Sequence, residues 1–272
     1  MPDRAVFAPE LLRSLAAQAG LANPSIVIEE LGAGGRLEAL WSVELEPKQA
    51  LYPASMIKLP IAYALARSFQ AGTLRPAGRC TVGAGNMTAN DAPSPFVAGY
   101  EADLQAFGVA MLSASDNVAT NVLIDVLGRD AITQTCRSIG LPETAVRRKL
   151  SGSLPLIDDP PASGRNSHPA SDAAALLRLI ARDAARGPDW IYDALLGQIW
   201  NDKVPRGLRP GDTFAHKTGD TDEVSHDGGI LTLPDGRRFI LVIYTTLASC
   251  PESDACLAAF AALVRPLLEG ET

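Results

Sequence analysis

Residues 51–60 read Leu51-Tyr52-Pro53-Ala54-Ser55-Met56-Ile57-Lys58-Leu59-Pro60. From Ile57 the apolar residues continue through Ile61, Leu65 and Phe69, the spacing of one helical face. Ser55 and Lys58 stand three residues apart, so a helix sets them side by side. A serine oxygen is a weak nucleophile until a neighbouring group takes its proton. The Lys58 amine is the nearest candidate in the sequence.

Outward from this stretch the chain changes character in both directions. Upstream, residues 9–21 carry helical periodicity, and 25–30 and 37–43 read as two strands joined by a turn at Gly32, Gly34 and Gly35. Downstream, residues 70–202 contain no convincing strand pair. Helices are expected over 104–113, 118–127, 130–139, 173–185 (capped by Ser171 and Asp172) and 190–200. Residues 141–169 hold five prolines and no periodicity, and an irregular stretch of this length is usually functional or mobile. Strands return at 213–218, 225–233 and 238–246, with Pro234-Asp235-Gly236 as a hairpin turn, and a helix over 253–268 closes the chain. The expected fold is therefore α/β of the α+β kind: a five-stranded antiparallel sheet flanked by terminal helices, plus an all-helical lobe. Residues 1–54 with 206–272 form the sheet unit in this reading, and 55–205 the helical one.

Composition narrows the function. The 272 residues are 47% hydrophobic and 20% charged, which is the make-up of a globular chain. A net charge of −7 with no dense basic run argues against nucleic acid and anionic membranes as partners. No stretch reads as a leader or a membrane span, so the expected location is cytoplasmic. Cys80, Cys136, Cys250 and Cys256 lack metal-type spacing and read as free thiols. His168, His216 and His226 read as structural, and no metal or other cofactor is expected.

Two further short motifs border the helical block. Ser115-Asp116-Asn117 precedes the helix that starts near residue 118, and Lys217-Thr218-Gly219 ends the first strand after the block. Ser-x-x-Lys, Ser-Asp-Asn and Lys-Thr-Gly, in this order, resemble the motif set of the class A β-lactamases and penicillin-binding proteins. The strand–helix–insert–strand plan is similar to that family from about residue 8 onward.

The resemblance implies a serine hydrolase that forms an acyl-enzyme. Ser55 is then the nucleophile and neutral Lys58 its base. Ser115 bridges Lys58 and Lys217 and passes the proton to the leaving group. Asn117, Thr218, Gly219 and Asp220 meet the substrate: Asn117 holds a substrate amide, and the backbone N–H of Asp220 joins that of Ser55 in an oxyanion hole. Asp116 reads as a buried cap. A general-base lysine must fall from its usual pKa of about 10.4 by roughly three units, and burial beside a second lysine acts in that direction.

The sequence departs from the family twice. The family's Glu-x-x-Leu-Asn loop motif supplies the glutamate that activates the deacylating water. Here no Glu lies between Glu143 and Glu223; an alignment of Asn166-Ser167-His168-Pro169 sets Ser151 to Ser153 near its place, with Asp158 and Asp159 close by. The residue after Lys-Thr-Gly is Asp220, where the family has a small uncharged one, and a carboxylate there repels the carboxylate of a β-lactam. The expected substrate is a small ester or amide, not necessarily a β-lactam. The alternatives are an atypical β-lactamase, an acyltransferase and a non-catalytic binding module.

Overall fold

The computed structural model describes residues 8–32, 39–151 and 164–270. It opens with helix α1 (Pro9–Gln18), strand β1 (Ser25–Leu31) and strand β2 (Ala39–Leu45). A single 3₁₀ turn, Ala54–Ile57, then leads directly into α2 (Lys58–Gln70). Two short strands follow, β3 (Arg79–Thr81) and β4 (Glu101–Asp103), and then helices α3 (Leu104–Ser113), α4 (Asn117–Leu127) and α5 (Arg129–Ser138). Helices α6 (Ala170–Ala184) and α7 (Trp190–Leu196) precede β5 (Thr213–Asp220), β6 (Ser225–Thr232), β7 (Arg238–Thr245) and α8 (Pro251–Glu269).

The sheet is the five-stranded antiparallel one expected, in the order β2-β1-β7-β6-β5. The N-terminal hairpin and the C-terminal meander meet at β1 and β7, where Ile26 stands opposite Ile243 and Val27 opposite Val242. Side chains alternate across a strand, and here both faces are covered. Ile26, Ile28, Phe239, Leu241 and Ile243 pack with α1 and α8. Val27, Ile240, Val242 and Tyr244 join the larger core shared with the helices. This explains why 239–244 reads as an unbroken apolar run instead of an alternating one. Helix α6, from the middle of the sequence, packs on β1, β6 and β7.

Three local expectations are corrected. First, β3 and β4 pair within the block expected to lack strands, with Arg79 opposite Asp103. At three residues each they are too short to show an alternating pattern. Second, α6 starts at Ala170, with Pro169 at its N-cap. Ser171 and Asp172 lie inside the first turn, because the Asp172 carboxylate accepts from Glu143 N at 3.1 Å and Thr144 Oγ1 at 2.8 Å instead of capping its own helix. Third, α7 ends at Leu196: the Gln198 side chain accepts from the N–H groups of Ile199 and Trp200 and turns the chain there.

The irregular stretch is anchored at its base. Ala145 and Ser167 exchange backbone hydrogen bonds, and the Asn166 side chain accepts from Arg147 N and Arg148 N and donates to Arg148 O. Among the described residues, no helix is long and apolar enough to cross a membrane. Cys80, Cys136, Cys250 and Cys256 are all unpaired.

Candidate active site

The Ser55 turn is held from below and from the side. Met56, Ile57 and Leu59 are fully buried and anchor it in the larger core. Met56 N donates to Pro53 O at 2.9 Å, closing the 3₁₀ turn, and Ala54 takes a left-handed φ of 47°. The upstream residue is fixed by His226, whose Nε2 donates to Tyr52 O at 2.9 Å while its Nδ1 accepts from Thr245 N at 3.1 Å. Burial brings the His226 pKa down to about 4, which suits the neutral ring these two bonds require. Strand β5 runs against the turn at Gly219. A Cβ there would sit 2.9 Å from Pro53 O and 3.1 Å from Met56 Cγ, so this close approach needs glycine.

The geometry differs from a plain α-helical start in one useful way. Ser55 lies in the 3₁₀ turn and Lys58 is the first residue of α2. In a 3₁₀ turn, residues three apart eclipse. Lys58 Nζ accordingly lies 2.9 Å from Ser55 Oγ.

Lys58 is fully buried and has four oxygens around its nitrogen: Ser55 Oγ at 2.9 Å, Ser115 O at 2.6 Å, Ser115 Oγ at 2.9 Å and Asn117 Oδ1 at 2.7 Å. Two of these, the Ser115 carbonyl and the Asn117 amide oxygen, can only accept. A neutral amine has two N–H groups, which they consume. Its lone pair is then left for a hydroxyl proton from Ser55 or Ser115. Burial, and after it the positive charge of Lys217, pulls the Lys58 pKa far below the ordinary lysine value.

Ser115 links the two lysines. Its backbone is left-handed, φ 59°, a conformation that is strained for serine. That twist turns both its carbonyl and its hydroxyl toward Lys58. Lys217 Nζ donates to the same hydroxyl at 2.9 Å and to Thr218 O at 3.0 Å. Burial brings Lys217 down to about 7; the nearby Asp220 carboxylate opposes that shift, and the Lys203 charge adds to it. Asp116 is buried, and its Oδ1 accepts from Ala119 N at 2.8 Å, an N-cap for α4.

Asp220 closes the circle. Strand β5 is one of the two edge strands of the sheet. Thr221 N bonds Val224 O at the hairpin end, so Asp220 and Ser225 form the next, non-hydrogen-bonded pair. In such a pair the N–H faces away from the partner strand. The Asp220 N–H therefore points off the edge and away from β6. Its carboxylate is held by Lys203, whose Nζ lies 2.6 Å from Oδ1 and also donates to His226 O at 3.1 Å.

Ser55, Asp91 and Asp220 stand where two arms of one cleft meet. One arm, of about 370 Å³, is lined by Ser115, Thr218, Trp200, Asp202, Lys203 and Asp254. The other, of about 470 Å³, is lined by Tyr52, Asn117, Leu150, Ser151, Arg165 and Thr221. Arg165 lies over the Tyr52 ring at 4.2 Å and pairs with Glu223. Leu150 is clipped in place by the Asn121 side chain, which accepts from Leu150 N at 2.8 Å and donates to Leu150 O at 2.9 Å.

All eight residues singled out from the sequence thus belong to one neighbourhood. Ser151 lies in the cleft, whereas Ser153, Asp158 and Asp159 fall outside the described residues. Sequence reasoning missed Lys203, Asp202, Asp254 and Tyr52, which carry no motif. It also missed Leu150, whose place in the cleft wall depends on its pairing with Asn121. The histidines do not reach the Ser55 oxygen. His216 Nδ1 meets Asp227 at 2.8 Å on the far side of β5, and His168 Nδ1 meets Thr144 Oγ1 at 2.8 Å.

With this geometry in place, the relatives become informative. The model of the beta-lactamase enzyme family matches residues 8–267. The chain belongs to that family. A curated member, a β-lactamase of Streptomyces cellulosae, is 32% identical over 151 residues, which is 52% of this chain and 47% of that protein. The chain thus matches about half the length of this relative. A point mutant of PBP-A, solved as its acyl-enzyme complex with penicillin G, superposes with a TM-score of 0.81 at 23% identity over 96% of both chains. A β-lactamase from Sphaerobacter thermophilus gives 0.77 at 21% identity, over 93% of this chain and 95% of that one. At these identities the two structures speak for the family's fold.

Proposed function

We propose that the chain is a serine hydrolase that acts on a small ester or amide through an acyl-enzyme on Ser55. The observation that carries this reading is the Ser55–Lys58–Ser115–Lys217 chain, with each successive contact at 2.9 Å. A binding module needs no serine set between two buried lysines of depressed pKa.

In this mechanism Ser55 Oγ attacks the substrate carbonyl as its proton passes to the neutral Lys58 amine. The oxyanion forms against the N–H groups of Ser55 and Asp220, and each such donor is worth about 3 kcal/mol of transition-state stabilisation. The proton then moves from Lys58 through the Ser115 hydroxyl to the leaving atom. The Lys217 ammonium holds that hydroxyl in place and steadies the developing charge. Asn117 keeps one side-chain N–H for the substrate after Ala89 O and Lys58 are satisfied. Water attacks the acyl-enzyme with Lys58 as base, because the described loop residues that line this arm beside Ser55, Leu150 and Ser151, carry no carboxylate. A β-lactam that does acylate Ser55 stays bound, because deacylation lacks the family's glutamate.

Intact-mass analysis after exposure to a fluorophosphonate and to a phenyl ester tests the reading. An adduct on the wild type that is lost in Ser55→Ala supports it. A wild type with no adduct, or a label that persists in Ser55→Ala, refutes it. The same assay with penicillin G separates trapping from turnover.

A further inference from the structure

The two arms of the cleft are chemically unlike. Ser115, the group placed to protonate the leaving atom, lines the smaller arm and not the larger. The leaving half of a substrate therefore lies in the smaller arm. Four carboxylates line that arm, from Asp91, Asp202, Asp220 and Asp254, against one lining cation, Lys203, and the Lys217 ammonium behind Ser115. Lys203 is already committed: its Nζ is 2.6 Å from Asp220 and 3.9 Å from Asp254. Asp91 and Asp202 are exposed, and the Asp91 charge acts on Lys58 and Lys217 from the mouth of the arm. Asp254 is partly buried, and its Oδ1 lies 3.9 Å from Lys203 Nζ, beyond hydrogen-bond distance, so its charge is met only by that long ion pair. An arm built this way disfavours a carboxylate and favours a cation.

We infer that the enzyme selects esters or amides whose leaving half carries a positive charge, and that Asp91, Asp202 and Asp254 are the residues that select it. The inference rests on the acyl-enzyme reading above. The bond balance is that of ordinary acyl transfer. The bond from Ser55 Oγ to the carbonyl carbon forms, and the bond to the leaving oxygen, nitrogen or sulfur breaks. The Ser55 proton reaches that leaving atom by way of Lys58 and Ser115, so a neutral amine, alcohol or thiol departs with its distal cation unchanged.

Three matched probes test it: the phenylacetyl thioesters of thiocholine, 2-mercaptoethanol and mercaptoacetate, with cationic, neutral and anionic leaving thiols. Acylation of Ser55 is followed by thiol release and intact mass. The cationic thioester is expected to react about tenfold or more faster than the anionic one, with the neutral one between, at low ionic strength. The spread shrinks as salt is raised. The ratio of cationic to neutral rates falls in Asp202→Asn, an exposed change that leaves the fold intact, and falls further in Asp202→Asn with Asp254→Asn. Equal rates for the three thioesters, or a faster anionic one, overturn the charge selection while leaving the acyl-enzyme reading standing. So does a Ser55 that takes a fluorophosphonate but none of the thioesters. A Ser55 that takes neither removes both.

Discussion

Lys203 Nζ lies 2.6 Å from Asp220 Oδ1, and this ion pair fixes the carboxylate that follows Lys217-Thr218-Gly219. Lys203 is almost wholly buried and Asp220 partly so. Removing the lysine leaves Asp220 with a weak 3.3 Å bond from Ser225 Oγ and the acidic neighbours Asp202 and Asp254 in the same arm. Lys203→Gln is expected to cost about 1–3 kcal/mol of stability and to slow Ser55 acylation, because the Asp220 backbone loses its anchor. Urea denaturation and the fluorophosphonate rate check both. Unchanged acylation in a folded variant would separate the pair from the oxyanion hole.

The two buried lysines predict a pH profile. In the proposed mechanism Lys58 acts as the neutral base and Lys217 as a cation, and burial with the Lys217 charge favours neutral Lys58. The Lys217 pKa is about 7. Acylation is expected to fall as pH rises through about 7 and Lys217 loses its proton, and to fall again at low pH as Lys58 gains one; the two limbs belong to the coupled pair. Lys217→Arg keeps the charge, so the alkaline limb should vanish even if the rate is lower. An alkaline limb unmoved in that variant counts against the assignment.

Leu150 lines the arm that also holds Ser55 and Asn117, and its backbone is clipped at both ends by Asn121. Leu150 is buried at the edge of the larger core, and Leu150→Glu keeps the backbone clip while setting a carboxylate at the cleft side of that edge. The acyl-enzyme formed with penicillin G is expected to clear at least about tenfold faster than in the wild type, the scale of general-base assistance being about 10²–10⁴. The lifetime of the adduct by mass spectrometry reads this directly. A lifetime that does not shorten would mean that the wall does not present its side chain to the acyl carbonyl.

His168 predicts acid sensitivity. Thr144 Oγ1 donates to Asp172, so it accepts from His168 Nδ1–H, and Nε2 is left buried without a partner. Burial brings the His168 pKa down to about 3, against about 6.5 in an unfolded chain. Between those values the unfolded state binds the extra proton, so stability is full above about 6.5 and declines as pH falls toward 3. His226, at about 4, adds in the same direction. The fall in melting temperature between about pH 7 and 5 should be smaller in His168→Gln, whatever that variant's stability at neutral pH. An equal fall would place the acid sensitivity elsewhere.

Much of this molecule could be read from the chain. The periodicities of 104–113 and 238–246, and the turn at Pro234-Asp235-Gly236, state their elements locally, because each rests on contacts between near neighbours. Ser55 and Lys58 could be paired for the same reason, although the eclipsed 3₁₀ turn that sets their distance was not foreseen. The motifs Ser115-Asp116-Asn117 and Lys217-Thr218-Gly219 named the other members of the candidate site and the family to which the chain belongs.

Other features exist only once distant segments meet. Lys203 and Asp254 have no signal of their own, since their meaning comes from sitting beside Asp220. The hydrogen bond from Asn121 to Leu150, and with it the wall that faces Ser55, depends on the packing of α4 against the irregular stretch. Asp220 read from sequence as a charge that repels substrate. In the fold it is a charge already half answered by Lys203. The sequence alone determined which serine and which lysine stand together as the candidate nucleophile and base, because motif and periodicity are local. The tertiary structure decided the electrostatics around that nucleophile, because fields in a cleft are sums over residues the chain brings from far apart.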